Sequence, residues 1–573
     1  MDSPAAIDPE IAGHTDSVDV AILGGGICGL TLALELRQKV PGLSVTVVEK
    51  SLHPVTEATH KVGESTVEIQ AHYLRDVLGL EDHLENAQLR KFGLRMFFSH
   101  DDNEDITKRV EYGQTGEAPI PTYQIDRGRI ENELGNRIQS AGATFVTGAR
   151  VLDVALGAGD DPHVITIDEG GERRTLSSRW VVDASGRASI LKRQLGLQKS
   201  LPHKANSSWF RIEGPVDVDS WTDDAQWRDR VPCGKRRLST NHLMGHGYWV
   251  WLIPLASGST SIGVVADENI HPFSSISTFE KTVAFLQAHE PQLAAHIVAN
   301  REKLQDFRAM KDYSYGAQHV FSGDRWCLTG EAGVAIDPLY SSGGDLMAIS
   351  NGLISDLISR AHAGEDVRML ADVHDQVYLL VADMWLLIYQ DQFAVMGNAQ
   401  VMVAKVLWDT MIYWAVPGTM YFHNQVGRMF QSPPILTSLV QIRALHARVE
   451  QFFLEWSAID NPEVADHFAD PYLFFGFFVE LHEQMGIPLT DEEFEAQLTK
   501  NVVLLEQCAG QLGATVMDKL KVSDDPAVTA QLTRWRADKQ LADLINKYRV
   551  GAYPEPIDGA WITFGGPQTM VPA

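Results

Sequence analysis

The chain has 573 residues, 45% of them hydrophobic, and it carries a net charge of -27 at pH 7 with a pI near 5.1. A chain of this length exceeds one ordinary hydrophobic core, so we expect two to four units of roughly 150 residues each. The acidic balance argues against a nucleic-acid or anionic-membrane partner, because phosphate binding depends on clustered lysine and arginine.

The cysteine pattern and the apolar segments predict the compartment. The chain has four cysteines, Cys28, Cys233, Cys327 and Cys508. They show no CxxC or His-paired spacing, which favours a reducing compartment and predicts neither a structural disulfide nor a metal site. Residues 1–17 lack the basic start and apolar core of a signal peptide, and the apolar segment 400–421 is interrupted by Lys405 and Asp409, which makes it a poor membrane span. We expect a cytoplasmic protein without a membrane span.

The first predicted element in chain order is a βαβ unit. An apolar strand runs into glycines with the spacing G-x-G-x-x-G, at Gly24, Gly26 and Gly29, and then into a helix rich in Ala, Leu and Glu. Backbone amides and the positive end of such a helix can face a pyrophosphate. A second apolar strand ends at Glu49, twenty residues after Gly29, where a carboxylate can accept hydrogen bonds from a ribose. The context favours a dinucleotide site over a plain glycine turn.

The next segment predicts a helix and then a strand. Ser65 followed by Glu68 predicts a capping box at the start of a helix that continues to about residue 78. The run 89–98 predicts one strand that enters a core. Lys91 lies at the entrance of that strand, where a lysine is most often solvated.

The middle of the chain again shows a pattern that is typical of a nucleotide-binding domain. A helix is predicted within 123–134, and the run 181–187 ends a strand in a polar turn at Asp183. Between them, residues 143–180 predict short strands of alternating character. This is typical of a nucleotide-binding domain whose βαβ unit and β-meander are separated in sequence.

A β-rich stretch then contains a predicted hairpin, in which 248–255 pairs with 260–266. The two-residue alternation of a strand puts Trp249, Trp251 and Ile253 on one face. Read from the residues alone, this face is most simply an aromatic core ladder.

Further along, a strand ends on Gly330-Glu331, and the small-residue segment 336–345 leads into a helix. Small residues before a helix let a planar cofactor approach the backbone, and the helix start favours negative charge. An N-capped helix without a ligand is the alternative. From about residue 365 the pattern is helical, and its aromatic and Met-rich stripe is mostly core, with a part that can line a pocket for a flat hydrophobic substrate. The stripe consists of Trp385, Tyr389, Phe393, Met396, Met402, Trp408, Trp414 and Met420.

Four segments, 24–29, 126–134, 183–186 and 330–338, together resemble the flavoprotein monooxygenase superfamily of the para-hydroxybenzoate hydroxylase fold. The resemblance implies an α/β protein that has a Rossmann-like FAD-binding domain, an inserted β-sheet substrate domain and a mainly helical C-terminal region. The expected bounds are 1–16 for a disordered or extended N-terminus, 17–200 and 301–365 for the two parts of the FAD-binding domain, 201–300 for the β-rich substrate-side domain, and 366–573 for the helical substrate-binding region.

In that superfamily the first Gly-rich turn holds the FAD pyrophosphate, the end of the second strand holds the ribose, and a late Gly-Asp motif contacts the ribityl chain. Here Glu331 stands where Asp is usual, which keeps the carboxylate and lengthens its reach. The residues that the resemblance assigns to FAD are Gly24, Gly26, Gly29, Glu49, Lys50, Gly63, Glu64, Ser65, Arg127, Asp183, Gly330, Glu331, Ser342, Gly343 and Gly344.

Within the superfamily, the chain is similar to the flavin-dependent halogenases. Trp249 to Pro254 match their W-x-W-x-I-P signature, and Lys91-Phe92-Gly93 follows Gly63-Glu64-Ser65 at a spacing similar to that of the phenol- and pyrrole-halogenating branch. The resemblance implies that Lys91 is catalytic and that the backbone amides of Ser342 and Gly343 hold the halide. It also implies an active-site wall beside the flavin, formed by Trp249, Trp251, Ile253 and Pro254.

The resemblance implies that reduced FAD and O2 oxidise chloride or bromide to hypohalous acid. Lys91 would either polarise this oxidant as an ammonium or carry the halogen as a chloramine. The expected substrate is an electron-rich aromatic small molecule such as a phenol, pyrrole or indole, free or carried on a protein. No second Gly-rich nucleotide motif follows the first, so a separate flavin reductase is the expected source of reduced FAD.

Asp345 leaves an alternative open, because the family has His or an apolar residue there. A carboxylate turned toward the flavin would repel chloride, whereas one that caps a helix would be harmless. The alternative function is a flavin monooxygenase or oxidase that keeps the halogenase scaffold without halogenating. A third class is a non-catalytic flavin-binding protein.

Overall fold

The computed structural model describes residues 16–57 and 61–548. The predicted extended N-terminus therefore lies, except for its last residue, outside the described part. The strands are β1 (Asp16–Leu23), β2 (Val45–Glu49), β3 (Leu89–Lys91), β4 (Leu94–Phe98), β5 (Val110–Tyr112), β6 (Thr122–Gln124), β7 (Thr144–Thr147), β8 (Ala149–Ala155), β9 (His163–Glu169), β10 (Glu172–Asp183), β11 (Gln198–Ser200), β12 (Ala205–Glu213), β13 (Thr240–Gly245), β14 (Tyr248–Pro254), β15 (Ser259–Asp267), β16 (Leu304–Met310), β17 (Tyr315–Ala317), β18 (Trp326–Leu328) and β19 (Phe468–Ala469).

The α-helices in the same ranges are α1 (Ile27–Lys39), α2 (Glu68–His72), α3 (Glu81–Ala87), α4 (Arg127–Ser140), α5 (Ile190–Gln194), α6 (Ala225–Arg228), α7 (Lys235–Leu238), α8 (Phe279–His289), α9 (Pro291–Ala299), α10 (Ser342–His362), α11 (Arg368–Tyr389), α12 (Ala399–Tyr413), α13 (Thr419–Phe422), α14 (Pro433–Ser457), α15 (Pro471–Phe474), α16 (Gly476–Gln484), α17 (Asp491–Leu520), α18 (Pro526–Ala537) and α19 (Lys539–Tyr548).

The first sheet forms the predicted nucleotide-binding unit. Its strand order is β7-β2-β1-β10-β9-β8, and β18 pairs with β10. The pairs that join β7, β2, β1, β10 and β18 are parallel, while β9 and β8 are added antiparallel. Buried Val, Ile and Leu side chains fill β1 and β2, as expected for parallel strands covered on both faces. The predicted βαβ unit and β-meander are therefore confirmed as parts of one sheet.

The second sheet has the order β16-β12-β15-β14-β13-β4-β5-β19. The predicted hairpin is confirmed, because β14 and β15 pair antiparallel. Four of its strands, β4, β5, β16 and β19, come from outside the predicted 201–300 segment. The residues on one face of β14, Trp249, Trp251 and Ile253, pack into the apolar cluster that includes the first sheet, whereas Val250 and Leu252 pack into a separate cluster on the other face.

The run 89–98 forms two strands instead of the predicted one. β3 pairs with β6 in a small sheet, and β4 belongs to the second sheet. The chain turns between them at Gly93, whose φ of +70° is a left-handed conformation that favours glycine. Lys91 therefore ends a short strand next to a turn and does not enter the large sheet.

The predicted capping box of Ser65 and Glu68 is wrong. Helix α2 begins after Val67, and no side chain of its N-cap residue accepts a hydrogen bond from the first turn. The predicted helix to residue 78 divides into α2 and a π-helical turn, Tyr73–Val77. A tertiary contact replaces the local cap, as described below.

Helices α10 and α11 pack against the domain that contains the first sheet. Helix α10 lies on α1, where the Asn351 side-chain amide donates to the Cys28 carbonyl at 3.1 Å and to Thr31 Oγ1 at 3.0 Å. Helix α11 reaches the same region, because Tyr389 donates its hydroxyl to the Leu339 carbonyl at 2.8 Å. Within the described part of the chain, none of the helices combines the length and apolar character that crossing a bilayer requires.

We predict that Gly29→Ala destabilises the protein, because a methyl group at this helical position would overlap the carbonyl oxygen of Gly24. Overpacking of this kind costs about 1–3 kcal/mol, which is measurable as a lower free energy of unfolding in denaturant. Gly352→Ala is the matched control, since this glycine also lies inside a helix but has no atom near the added methyl group. Equal stability of the two variants would contradict the prediction.

Candidate active site

The carboxyl ends of four parallel strands meet at one edge of the first sheet. Leu23 lies opposite Val48 and Asp183, and Asp183 lies opposite Leu328. The turns that follow these strands hold the glycines Gly24, Gly26 and Gly29, the carboxylates Glu49 and Asp183, and the pair Gly330-Glu331. The structure therefore brings together predicted residues that lie about 300 positions apart in sequence, at the edge where such sheets bind ligands.

The start of α1 has the shape of a phosphate cradle. Beside Gly26, the nearest atom to an added Cβ would be 4.0 Å away, so the space next to the first amides of the helix is open. Those amides have no partner within the helix. Glu49 accepts a hydrogen bond from the Gly25 amide at 2.7 Å and another from the Ser51 amide at 2.7 Å, which holds its carboxylate at the turn. These residues fit the pyrophosphate and ribose of a dinucleotide.

Other predicted cofactor residues make protein contacts instead of pointing freely into this edge. Glu64 is buried and lies 2.6 Å from the guanidinium of Arg211. Arg127 donates to Glu131 Oε1 at 2.7 Å, and Glu131 also accepts from the Ile27 amide at 3.3 Å. Glu131 thus lies at the α1 start although the sequence reasoning missed it. Its only sequence signal was its place one turn after Arg127. Of the remaining residues, Lys50 and Gly63 are exposed.

Asp183 and Glu331 differ in their surroundings. Asp183 accepts hydrogen bonds from the amides of Ser185 at 3.0 Å and Leu191 at 2.8 Å, and burial raises the pKa of its carboxyl. It therefore fixes the turn after β10. Glu331 is partly exposed and lies 3.3 Å from Arg187. Its carboxylate stays accessible at the sheet edge.

The turn before α10 has an unusual backbone. Tyr340 and Ser341 have φ values of +63° and +60°, and such left-handed residues other than glycine cluster at functional sites. The Ser342 hydroxyl donates to the Asp337 carbonyl at 2.8 Å. Beside Gly343 there is open space, whereas Gly344 packs against Gln70 so closely that a methyl group would overlap it. The start of α10 at Gly343 therefore lies next to an opening.

Asp345 caps a different helix. Its Oδ1 accepts the Gln70 amide of α2 at 2.9 Å, while the Tyr413 hydroxyl accepts the neighbouring Ile69 amide at 3.0 Å. Burial raises the pKa of the Asp345 carboxyl well above its ordinary value, which favours the neutral acid. The expected alternative was a cap on α10, the helix whose first turn contains Asp345, whereas the carboxyl group caps α2; as a neutral acid it would not repel a halide.

Lys91 is buried, so its interpretation as a solvated lysine is wrong. Its Nζ donates to Ser65 Oγ at 2.9 Å and to the Thr66 carbonyl at 2.8 Å. Burial lowers the pKa of this lysine to about 8, although the nearby Glu68 carboxylate opposes the effect. Ser65, which was predicted to contact the cofactor, thus helps to position the Lys91 amine.

Lys91 lines a partly open cavity of about 90 Å³. The cavity lies between the segment around Lys91 and the C-terminal helices, which contribute Trp385, Tyr389, Tyr413, Trp414, Tyr472 and Phe478. Tyr340 of the α10 turn lines the same cavity, as do the carboxylates Glu68 and Asp409. Sequence reasoning missed both carboxylates. Asp409, a charge inside an apolar segment, was the available signal.

The predicted tryptophan wall is a buried part of the second sheet. The Trp249 and Trp251 rings lie 5.7 Å apart, and the Trp251 indole N–H donates to Ser261 Oγ at 3.2 Å. Ile253 and Pro254 complete the same buried strand. None of the four lines the cavity that contains Lys91, so the tryptophan face and the lysine pocket are distinct surfaces.

His242 connects the two surfaces. Its ring lies 5.6 Å from that of Trp249. Burial, together with the charge of Lys91, lowers the pKa of His242 to about 3. The histidine is therefore neutral near the lysine and adds no competing charge.

Sequence comparisons identify known proteins that are similar to this chain. A family model described as an FAD binding domain matches residues 17–271. The flavin-dependent halogenase chlA of Dictyostelium discoideum is 27% identical over 439 residues, which cover 72% of this chain and 71% of that protein. The 1H-pyrrole-2-carbonyl-(peptidyl-carrier protein) chlorinase of Pseudomonas fluorescens is 29% identical over 376 residues, which cover 62% and 79%. The chain belongs to the flavin-dependent halogenases.

Solved halogenase structures have the same fold as this halogenase. Halogenase PltM superimposes with a TM-score of 0.61 at 16% identity, over 96% of this chain and 98% of the other. The flavin-dependent halogenase CmlS gives 0.52 at 19% identity, over 92% and 78%. The predicted fold class is confirmed. Family membership makes this chain a flavin-dependent oxidoreductase with FAD as cofactor and with O2 and a halide as co-reactants.

The four cysteines of this halogenase are unpaired. Among the residues that the structure describes, no group of three or more His, Cys, Asp or Glu side chains is placed to hold a metal ion.

We predict that Asp345→Asn keeps the free energy of unfolding within about 1 kcal/mol of wild type, because Asn resembles the neutral acid and still accepts the Gln70 amide. Asp345→Ala leaves that buried amide unpaired and costs about 1–3 kcal/mol. Denaturant unfolding measures both values. The halide KM of the Asn variant should equal that of wild type. A several-fold lower halide KM would show instead that a charged Asp345 repels the halide.

Proposed function

We propose that this chain halogenates an electron-rich aromatic small molecule, with hypohalous acid formed at the start of α10 and used at Lys91. The proposal rests on the cavity that Tyr340 and Lys91 share. Tyr340, two residues before the predicted halide site, and the buried Lys91 line one cavity. Hypohalous acid formed near Tyr340 would reach Lys91 through this cavity.

Bound FAD in its reduced form would supply, with O2, the oxidant that converts halide into hypohalous acid. The protein's own part begins with the amides of Ser342 and Gly343, which would hold the anion at the positive end of α10. Tyr340 and Ser341 shape that site through their left-handed backbone. We assign the tryptophan face of β14, with Trp249 and Trp251, to excluding organic substrate from the flavin side.

The next step takes place at Lys91. Its ammonium, held by two neutral acceptors, donates a hydrogen bond and then a proton to the hypohalous oxygen, which leaves as water while the halogen bonds to a ring carbon. The ring carbon loses its proton to Glu68. Burial would raise the pKa of Glu68, but hydrogen bonding and charge from His482, 3.2 Å away, outweigh it and lower the pKa. A proton returned from Glu68 to Lys91 restores the site.

The proposed partners follow from the sequence and the relatives. A separate flavin reductase would supply reduced FAD, because the sequence shows no second Gly-rich nucleotide motif. One relative acts, by its name, on a pyrrole group held by a peptidyl-carrier protein, so both free and carrier-bound substrates belong in a screen. The expected location is cytoplasmic, as the scattered cysteines indicate.

We predict that purified protein with FAD, a flavin reductase, NADH, O2 and bromide brominates members of a panel of phenols, pyrroles and indoles. Mass spectrometry detects the bromine isotope pattern. Lys91→Ala should lower the rate by at least about 100-fold, as loss of a positioned acid does, while the bound FAD per chain stays unchanged. Hydroxylated product that forms without halide would favour the monooxygenase alternative. Undiminished bromination by the Ala variant would remove Lys91 from the mechanism.

We predict that kcat/KM for halogenation is level below pH 8 and falls above it. The pKa of Lys91 is lowered to about 8, and a step that needs its ammonium loses about tenfold per pH unit above that value. Lys91→Arg is the control, because its guanidinium stays protonated and any residual activity should not fall near pH 8. A rate that rises through pH 8 would indicate the neutral amine and the chloramine route.

A further inference from the structure

Asp409 is a carboxylate in the wall of the cavity that the proposed chemistry does not use. It lies on α12 and is buried, and it lines the space together with Trp385, Tyr389 and Trp414. These flat rings can stack on an aromatic substrate. The site therefore combines an aromatic surface with one acidic group supplied by the C-terminal helices.

A buried lysine, Lys405, lies next to Asp409. Lys405 Nζ lies 3.0 and 3.2 Å from the two Asp409 oxygens and 2.6 Å from Glu450 Oε2. Burial, reinforced by the nearby Asp409, raises the pKa of Glu450 well above its ordinary value. One buried lysine thus lies between two buried carboxyl groups, of which only Asp409 lines the cavity.

The hydrogen-bonding role of Asp409 toward the cavity is that of an acceptor. Both of its carboxyl oxygens accept hydrogen bonds, from Lys405 and from Tyr340. The Tyr340 hydroxyl already donates to its Oδ2 at 3.1 Å, and burial with the charge of Asp409 keeps the pKa of Tyr340 well above its ordinary value. This contact shows that a neutral phenolic hydroxyl reaches the carboxylate from the side of the cavity.

We propose that Asp409 binds a hydroxyl group on the ring of the substrate, so that the substrate class is a neutral phenol. This inference rests on the proposed function and specifies its substrate. The hydroxyl donates to Asp409 in the manner of Tyr340, while the ring lies against Trp385 and Trp414. A phenol that donates to a carboxylate gains electron density at its ortho and para carbons, which are the positions that an electrophilic halogen attacks.

The cluster also offers a matched pair of variants. Asp409 and Glu450 both contact Lys405, but only Asp409 lines the cavity. Each variant replaces one carboxyl group beside the buried lysine and leaves the other in place. Any difference between the two variants in ligand selection then reports on contact with the ligand.

The test compares 2-naphthol with 2-methoxynaphthalene, which has the same ring but no hydroxyl donor. Calorimetry measures the Kd of each for the FAD-loaded protein. Wild type should bind the naphthol about 10- to 100-fold more tightly, as expected for a hydrogen bond to a charged group. Asp409→Leu should reduce this ratio to near one, Asp409→Asn should give an intermediate ratio, and Glu450→Gln should keep the wild-type ratio.

Two results would overturn the inference. One is a wild-type preference for naphthol that survives in the Asp409 variants. The other is an equal loss in Glu450→Gln, which would make the cluster structural only. The melting temperature and FAD content verify folding, and the Asn variant carries the comparison if the Leu variant does not fold. Naphthol binding that depends on Asp409 without any brominated product would refute the proposed function alone. Equal wild-type bromination of both compounds would refute the inference alone.

Discussion

The burial of one lysine amine is the constraint on which the active site depends. Lys91 lies away from bulk water and is held by a serine hydroxyl and a backbone carbonyl, with no carboxylate in direct hydrogen-bond contact among its described partners. Such an environment destabilises the ammonium, as its pKa of about 8 shows. The amine therefore exchanges a proton near neutral pH, which neither a solvated lysine nor one in a salt bridge would do. A reactive oxidant that meets this amine inside the cavity is partly shielded from bulk water.

Keeping that amine buried requires three regions of the chain to pack together. The short strand β3 carries Lys91, the segment before α2 supplies its two acceptors, and the C-terminal helices close the cavity. Asp345 of α10 and Tyr413 of α12 both bind the first amides of α2. Helix α10, which follows the cofactor edge, and helix α12 of the predicted substrate region therefore both fix the start of α2. The same contacts bring Tyr340, which precedes the predicted halide site, together with Lys91 and the aromatic side chains of the C-terminal helices around one cavity.

Much of the fold was predictable because the responsible signals are local. The βαβ unit, the β14–β15 hairpin and the late helices follow from apolar periodicity and turn residues that act within about ten positions. Two local predictions failed where tertiary contacts replaced local ones. The run 89–98 divides at Gly93 because its halves pair with different sheets. Ser65 does not cap α2, because Lys91 and Thr240 take its hydroxyl and Asp345 supplies the cap instead.

The sequence by itself determined the glycine turn at the cofactor edge and the carboxylate at the end of β2, since each depends on spacing along one short segment. The candidacy of Lys91 came from the resemblance to the flavin-dependent halogenases. The tertiary structure alone decided that Lys91 is buried, that Asp345 faces α2 and not the halide turn, and that Asp409 reaches the cavity. These three outcomes depend on the surroundings of an ionisable group. Burial and neighbouring charges set its protonation and direction, and those neighbours come from positions up to several hundred residues away. No local sequence pattern predicts contacts between residues so far apart in the chain.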